Sequence, residues 1–294
     1  TIVDRPTISI TPIKMLETTT LLDEFIKSLE TSPLTTVTKL RSLIGKLLRA
    51  SLVVRRGRLF VCGILANLRL ANSVTVRPRG SDTVRVTRWC QRNIKWWQRL
   101  FLLVPKPLDM LLPKVTVRHP CQGDASGLGF GGLIVVDDTI YYFFDTWTVQ
   151  ELAFLADHTL NVNLTEALTQ CWMLELFAEH LAGHVVNLEC DNLVSVTLLH
   201  EHRSRTLAAS LILERIELVA ARNRTDPQFS HIAGVINRLS DELSRKGDTF
   251  KFRTETTTAY PNVRHFCDVS SHLSQGQRST AWLSEASSTN AHSQ

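Results

Sequence analysis

No apolar run in the 294 residues approaches the roughly 18 to 20 that a membrane-spanning helix needs. The opening TIVDRPTISI has neither the charged start nor the apolar block of a secretory signal. Cysteine is sparse: Cys62, Cys90, Cys121, Cys171, Cys190 and Cys267 include no CxxC and no CxxH pair, which argues against a zinc site and a disulfide framework. Several fall in apolar stretches, where a free thiol behaves as a small buried hydrophobe. With charged residues at 21% and hydrophobic ones at 44%, most of the chain is too apolar to be disordered. These absences predict a soluble intracellular protein, cytoplasmic or nuclear, with no membrane partner and room for about two domains.

Acidic residues are nearly missing from one block. Between Lys39 and Lys106 sixteen Lys and Arg face a single acid, Asp82, whereas the remainder carries seventeen against twenty-seven. A block of +15 beside a region of −10 points to a partner rich in phosphate.

The segment from Ile8 reads as a short strand and then a helix, with Thr11 as N-cap, Pro12 in the first turn, and Leu16, Leu21, Leu22 and Phe25 on one side. Ser32 and Pro33 interrupt it. A second helix from about Val37 places Leu40, Leu43, Ile44, Leu47 and Leu48 at helical spacing, with Lys39, Lys46 and Arg49 on its polar side. Arg55, Arg56 and Arg58 surround a turn at Gly57, and residues 73 to 87 read as a loop. Val84 to Leu103 is predicted helical and interleaves Arg88, Arg92 and Lys95 with Trp89, Trp96 and Trp97. Such a pattern either grips phosphates and stacks on bases or packs the tryptophans inward and leaves the charges solvated.

After Pro105, Pro107 and Pro113 the composition changes. Strands are predicted from Val115 and across LIVV and TIYYFF, with Asp137 and Asp138 at a hairpin turn. After a loop follow a helix (about 164 to 181), a strand (184 to 190), two helices (192 to 200 and 206 to 221), a strand (228 to 232) and a helix (237 to 245). The fold class is therefore α/β, a mixed sheet with helices on its faces. From Lys251 onward fourteen of forty-four residues are Ser or Thr, and this tail is expected to be disordered.

Four acids stand in contexts suited to divalent metal: Asp124 in CQGDASGLGFGG, Glu166 in NLTEALT, Asp191 in ECDN and Asp241 in HIAGVINRLSDELSR. Hydrolysing a phosphodiester needs an activated water and a stabilised leaving oxyanion, and two Mg²⁺ ions on a few carboxylates supply both. Each acid also has a local explanation. Asn163 and Glu166 have capping-box spacing, Asp191 stands where it could cap the following helix, and Asp241 could face solvent. Asp124, at the end of an apolar strand beside glycines, has no obvious local partner.

Taken in order, the four segments resemble the signatures of the ribonuclease H domain attached to retroelement reverse transcriptases, over about residues 112 to 248. The resemblance implies a five-stranded mixed sheet flanked by helices, with the first three strands antiparallel. It also implies cleavage of the RNA strand in RNA:DNA hybrids. Asp124, Glu166, Asp191 and Asp241 would be the metal-binding catalytic acids, holding two Mg²⁺ ions for which Mn²⁺ substitutes. Asp124 would be shared, with Glu166 and Asp191 completing one metal site and Asp241 the other. Upstream, LRSLIGKLLRASLVVRRGRLF is similar to the thumb and connection of reverse transcriptases from LTR-type and tyrosine-recombinase (DIRS-like) retrotransposons, with Arg56 where proline is usual.

The implied organisation is a thumb-like helical region over 1–70, a basic connection over 71–111, a ribonuclease H-like domain over 112–248 and a disordered tail over 249–294. Lys39, Lys46, Arg49, Arg55, Arg56, Arg58, Arg88, Arg92 and Lys95 are the candidate hybrid-binding residues. The polymerase Tyr-x-Asp-Asp motif is absent, so no polymerase activity is expected, and the missing palm and fingers would belong to a parent polyprotein. The mobile-loop histidine of many relatives is also absent; His231 is expected to be a partly buried strand residue. The alternative is a non-catalytic hybrid-binding module, and a third reading is a related integrase or resolvase.

Overall fold

The computed structural model describes residues 10–52, 54, 57–74, 81–103, 116–117, 120–156, 162–201, 207–245 and 249–270. The predicted strand before Pro12, the prolines at 105, 107 and 113, Arg55, Arg56 and the tail beyond 270 lie outside them. The chain divides into two compact units, Thr1–Pro113 and Lys114–Gln294.

The first unit is mainly helical. Helix α1 (Pro12–Thr31) opens as its sequence predicts, the Thr11 side chain accepting from the Lys14 backbone N–H at 3.4 Å. Its packed stripe is Thr18, Leu22 and Phe25; Leu16 precedes the stripe and is exposed. Thr18 tolerates burial because its hydroxyl donates to the Lys14 carbonyl at 2.7 Å. Strand β1 (Leu34–Thr36) leads into α2 (Val37–Ala50), capped by Thr36, with Val37, Leu40, Leu43, Ile44 and Leu47 buried. Leu48 is instead exposed. A 3₁₀ turn (Gly57–Val61) leads into α3 (Cys62–Val74).

Residues 83 to 85, expected as loop or helix, form strand β2 (Thr83–Arg85), antiparallel to β1. The helix α4 (Arg88–Leu103) therefore starts later than its hydrophobic periodicity suggests, because Thr87 caps it by accepting from the Cys90 N–H at 3.2 Å. Cys90, Ile94, Trp97 and Phe101 form its buried stripe. Trp96 stacks on Phe60, and the Trp97 indole N–H donates to the Phe60 carbonyl at 3.1 Å.

The second unit is built on a mixed sheet. Its elements are β3 (Thr116–Val117), β4 (Cys121–Ala125), β5 (Gly129–Val136), β6 (Thr139–Thr146), α5 (Val149–Ala156), α6 (Val162–Leu176), α7 (Ala178–Leu181), β7 (Val185–Cys190), α8 (Leu193–Glu201), α9 (Leu207–Asn223), β8 (Asp226–His231), α10 (Arg238–Ser244), α11 (Thr249–Ala259) and β9 (His265–Asp268). Strands β4, β5 and β6 form an antiparallel meander, turned at Ser126 and at Asp137, whose φ of 53° aspartate tolerates. Strand β8 takes one edge of β7 along its whole length, so β3 and β4 share the other edge; all three are parallel to β7.

Two expectations are corrected by this topology. The sheet has seven strands among the described residues, not five, because β3 is a separate piece beside β7 and β9 adds in parallel to β6. Residues 249–270 are ordered rather than part of a disordered tail. Their threonines hide a helix: Thr256, Thr257 and Thr258 satisfy their hydroxyls on carbonyls four residues back, while Phe252 is buried.

Strand alternation assigns the two faces. The odd-numbered residues Leu133 and Val135 of β5, with Ile140 and Tyr142 of β6, pack on Leu239 and Leu243 of α10 and Phe252 of α11. On the opposite face Phe130 and Phe143 meet Trp147, Trp172 and Phe177. Helix α6 is buried all round from Leu164 to Leu174, because it packs on the sheet and on α8 and α9.

Candidate active site

The site begins with two glycines. Gly123 of β4 faces α6, and a Cβ there would lie 2.4 Å from Met173 Sδ. Gly131, paired with Asp124 across β4 and β5, faces α10; a Cβ there would lie 2.5 Å from Leu243 Cβ and 2.8 Å from its carbonyl carbon. Without side chains at these positions, both helices approach the backbone of β4 and β5 closely. Asp124, on the same face as Gly131, meets α10, while Glu166 reaches the end of β4 from α6.

The buried Asp124 carboxylate is held by two residues. Ser244 Oγ donates to Oδ2 at 2.7 Å and Asn237 Nδ2 donates to Oδ1 at 3.2 Å. Asn237 stands at the N-cap of α10 yet makes no side-chain capping bond; its amide is directed to Asp124 instead. Glu166, also buried, accepts from the Ala125 N–H at 3.4 Å and lies 3.6 Å from the Cys190 thiol. Glu166, Cys190 and Asp191 place potential ligand atoms within 4.8 Å of one another. Asp191 and Asp241 act electrostatically on Asp124, and Asp124 and Asp191 act on Glu166. The four acids named from the sequence are thus brought together at the ends of β4 and β7, from both faces of the sheet.

Two of the local explanations do not match the geometry. Glu166 makes its contacts with β4 and Cys190, away from the start of α6. Asp191 is not the cap of α8: Asn192 Oδ1 accepts from the Val194 and Ser195 N–H groups, each at 3.0 Å. Asp241 is more open than Asp124 and Glu166, with its side chain 41% exposed and both oxygens held by Arg245.

Burial and like charge shape the electrostatics. Burial chiefly, then repulsion from Asp191 and Asp241, raises Asp124 from 3.8 to about 7, with Ser244 and Arg245 opposing. Burial, then Asp124 and Asp191, raises Glu166 from 4.5 to about 9. Burial and Glu166 hold Cys190 as a neutral thiol. The donor set fits a hard divalent cation: carboxylate oxygens whose mutual repulsion a metal would relieve, with the one soft atom kept protonated.

Sequence reasoning does not reach Ser244, Asn237 and Cys190 as site residues. Ser244 and Asn237 flank Asp241 within one helix, and that proximity is their only sequence signal. His231 is corrected: it is exposed at the last position of β8, with Nε2 3.0 Å from the Asp191 carbonyl. The turn 234–237 runs past Asp191, whose Oδ2 lies 3.3 Å from where a Gly234 Cβ would be.

In the first unit, Arg88, Arg92 and Lys95 fall with Arg99 on one stripe of α4, opposite its buried face, and Lys39 and Lys46 share a face of α2 near Arg49. Arg58 is exposed in the 3₁₀ turn. Trp89 is 47% exposed beside the α4 stripe, whereas Trp96 and Trp97 are core. Among the described residues no helix is long and apolar enough to cross a membrane.

No family model matches the chain. A search of curated proteins returns no match. Among solved structures, the chain is similar to an RNase H1 from the halophilic archaeon Halobacterium salinarum NRC-1, at 14% identity and a TM-score of 0.32, over 44% of this chain and 95% of that one. A likeness that loose carries no argument about fold or function.

Proposed function

We propose that the second unit is a ribonuclease H that cuts the RNA strand of RNA:DNA hybrids. The convergence of Asp124, Glu166, Asp191 and Asp241 from two strands and two helices carries this reading. When bound, two Mg²⁺ ions, or Mn²⁺ in their place, would supply an activated water and Lewis acidity at the leaving oxyanion. Asp124 would be the shared ligand, with Glu166 and Asp191 completing one site and Asp241 contributing to the other. Ser244 and Asn237 orient the Asp124 carboxylate through one hydrogen bond to each oxygen. The basic faces of α2 and α4 hold nucleic-acid backbone, and ribose 2′-hydroxyls identify the strand to be cut.

We also read the chain as the thumb, connection and nuclease portion of a retrotransposon reverse transcriptase, acting beside a palm and fingers from the same polyprotein. The test offers the full chain RNA:DNA hybrid, duplex DNA and duplex RNA, each end-labelled, with Mg²⁺. Scission of the RNA strand of the hybrid alone is expected. Equal cutting of duplex DNA would point to an integrase- or resolvase-like enzyme, and binding without scission to a hybrid-binding module.

A further inference from the structure

Arg245 follows α10 directly and closes on Asp241 one turn back. Its Nε lies 2.9 Å from Oδ1 and 3.0 Å from Oδ2, and Nη2 lies 2.8 Å from Oδ1, so both carboxylate oxygens are engaged. The guanidinium also acts electrostatically on Asp124, lowering the cost of that buried carboxylate. Guanidinium does not lose its proton in the working range of pH, so loss of its charge does not free Asp241 and a metal must displace it. The pair is exposed, at 63% and 41% of the two side chains, and therefore weak enough to be displaced. Once released, Arg245 stays at the C-terminal end of α10, where the helix carbonyls favour a positive charge.

We propose that Arg245 is an internal counter-cation that competes with divalent metal for Asp241 and sets the metal concentration at which the site fills. The proposal rests on the metal-site reading above. It makes Asp241 the last of the four acids to be recruited, since Asp124, Glu166 and Asp191 have no arginine on their carboxylates among the contacts described. A bidentate fork matters beyond its charge, because lysine at the same position would engage the carboxylate as a point charge.

The test titrates Mn²⁺ into the full chain without nucleic acid, reading free Mn²⁺ by electron paramagnetic resonance. Wild type is compared with Arg245→Gln, Arg245→Lys, Asp241→Asn and the Arg245→Gln/Asp241→Asn double variant. Arg238→Gln is the charge-matched control, since Arg238 lies on the same helix and pairs with Glu255 at 2.7 Å. Arg245→Gln is expected to tighten Mn²⁺ binding by roughly two- to fivefold, the span of an exposed ion pair. Arg245→Lys should fall between it and wild type, Arg238→Gln should match wild type, and the gain should shrink in the double variant to what the guanidinium's effect on Asp124 leaves. A gain undiminished without Asp241, or Arg245→Gln binding no tighter than wild type, overturns the competition while leaving the metal site standing. Failure of wild type to bind Mn²⁺ overturns both.

Discussion

Asp124 and Glu166 are carboxylates raised to about 7 and about 9, so the metal-free folded chain binds protons more tightly than the unfolded one. Their contribution to stability is complete below the ordinary carboxylate values of 3.8 and 4.5 and is lost as pH rises through the raised ones. In EDTA the urea midpoint is expected to fall between about pH 5.5 and 8.5, and saturating Mg²⁺ should flatten the fall by compensating the charge. A midpoint that climbs over that range in EDTA would contradict the crowding of charge described for this site. Ser244 offers a second check at this scale. Removing its 2.7 Å bond to Asp124 takes away a hydrogen bond to an ionised group, so Ser244→Ala should lower kcat/KM on a hybrid by about tenfold or more. Unchanged kinetics would show that Asp124 needs no such support. The four acids are picked out in the sequence by the resemblance that their segments carry when taken in order, since three of them singly have local explanations. Ser244 and Asn237 are not, since what makes them matter is an interaction with a residue more than a hundred positions away.

At the level of elements, local signals are clearest where a cap and a stripe coincide, as at Thr11 with α1 and Thr36 with α2. Pairing between distant short segments leaves no such trace: β1 and β2 are three residues each and are stabilised by one another. Helix α5 falls in a stretch expected as loop, although Thr148 and Glu151 form a reciprocal capping box with bonds of 2.8 and 3.2 Å. Helix α11 and β9 fall in the stretch expected as disorder, because threonine-rich composition masks a helix whose burial depends on α10 and β6. The approach of α10 to the sheet yields a prediction at this scale. Gly131→Ala puts a methyl against the backbone of Leu243, so it should destabilise the chain by about 1 to 3 kcal/mol and displace Asp241 and Ser244 together. Thermal unfolding and hybrid cleavage should therefore both fall; a variant with wild-type stability and rate would show that the close packing is not required.

Across the whole molecule, the charge asymmetry visible in composition resolves into particular faces, with Arg88, Arg92 and Lys95 on one stripe of α4 in a unit separate from the acids. Replacing these three by alanine is expected to weaken hybrid binding and to flatten its dependence on salt, by about 0.9 in the log–log slope for each phosphate no longer neutralised. An unaltered slope would assign the stripe to solvation alone. The change from a basic, helix-patterned stretch to a strand-patterned one is visible in composition and periodicity. The extra sheet edge is not, because it lies in a segment with little aliphatic content. The proposed site is one hydrolytic metal centre made by four carboxylates from separate elements. Its most direct measurement is cleavage of an end-labelled RNA:DNA hybrid by the full chain and by Asp191→Asn, with Mg²⁺ and with EDTA. Scission by wild type in Mg²⁺, absent in EDTA and absent in the variant, is the expected result; scission that survives EDTA or the loss of Asp191, or none in Mg²⁺ and Mn²⁺ alike, would contradict it.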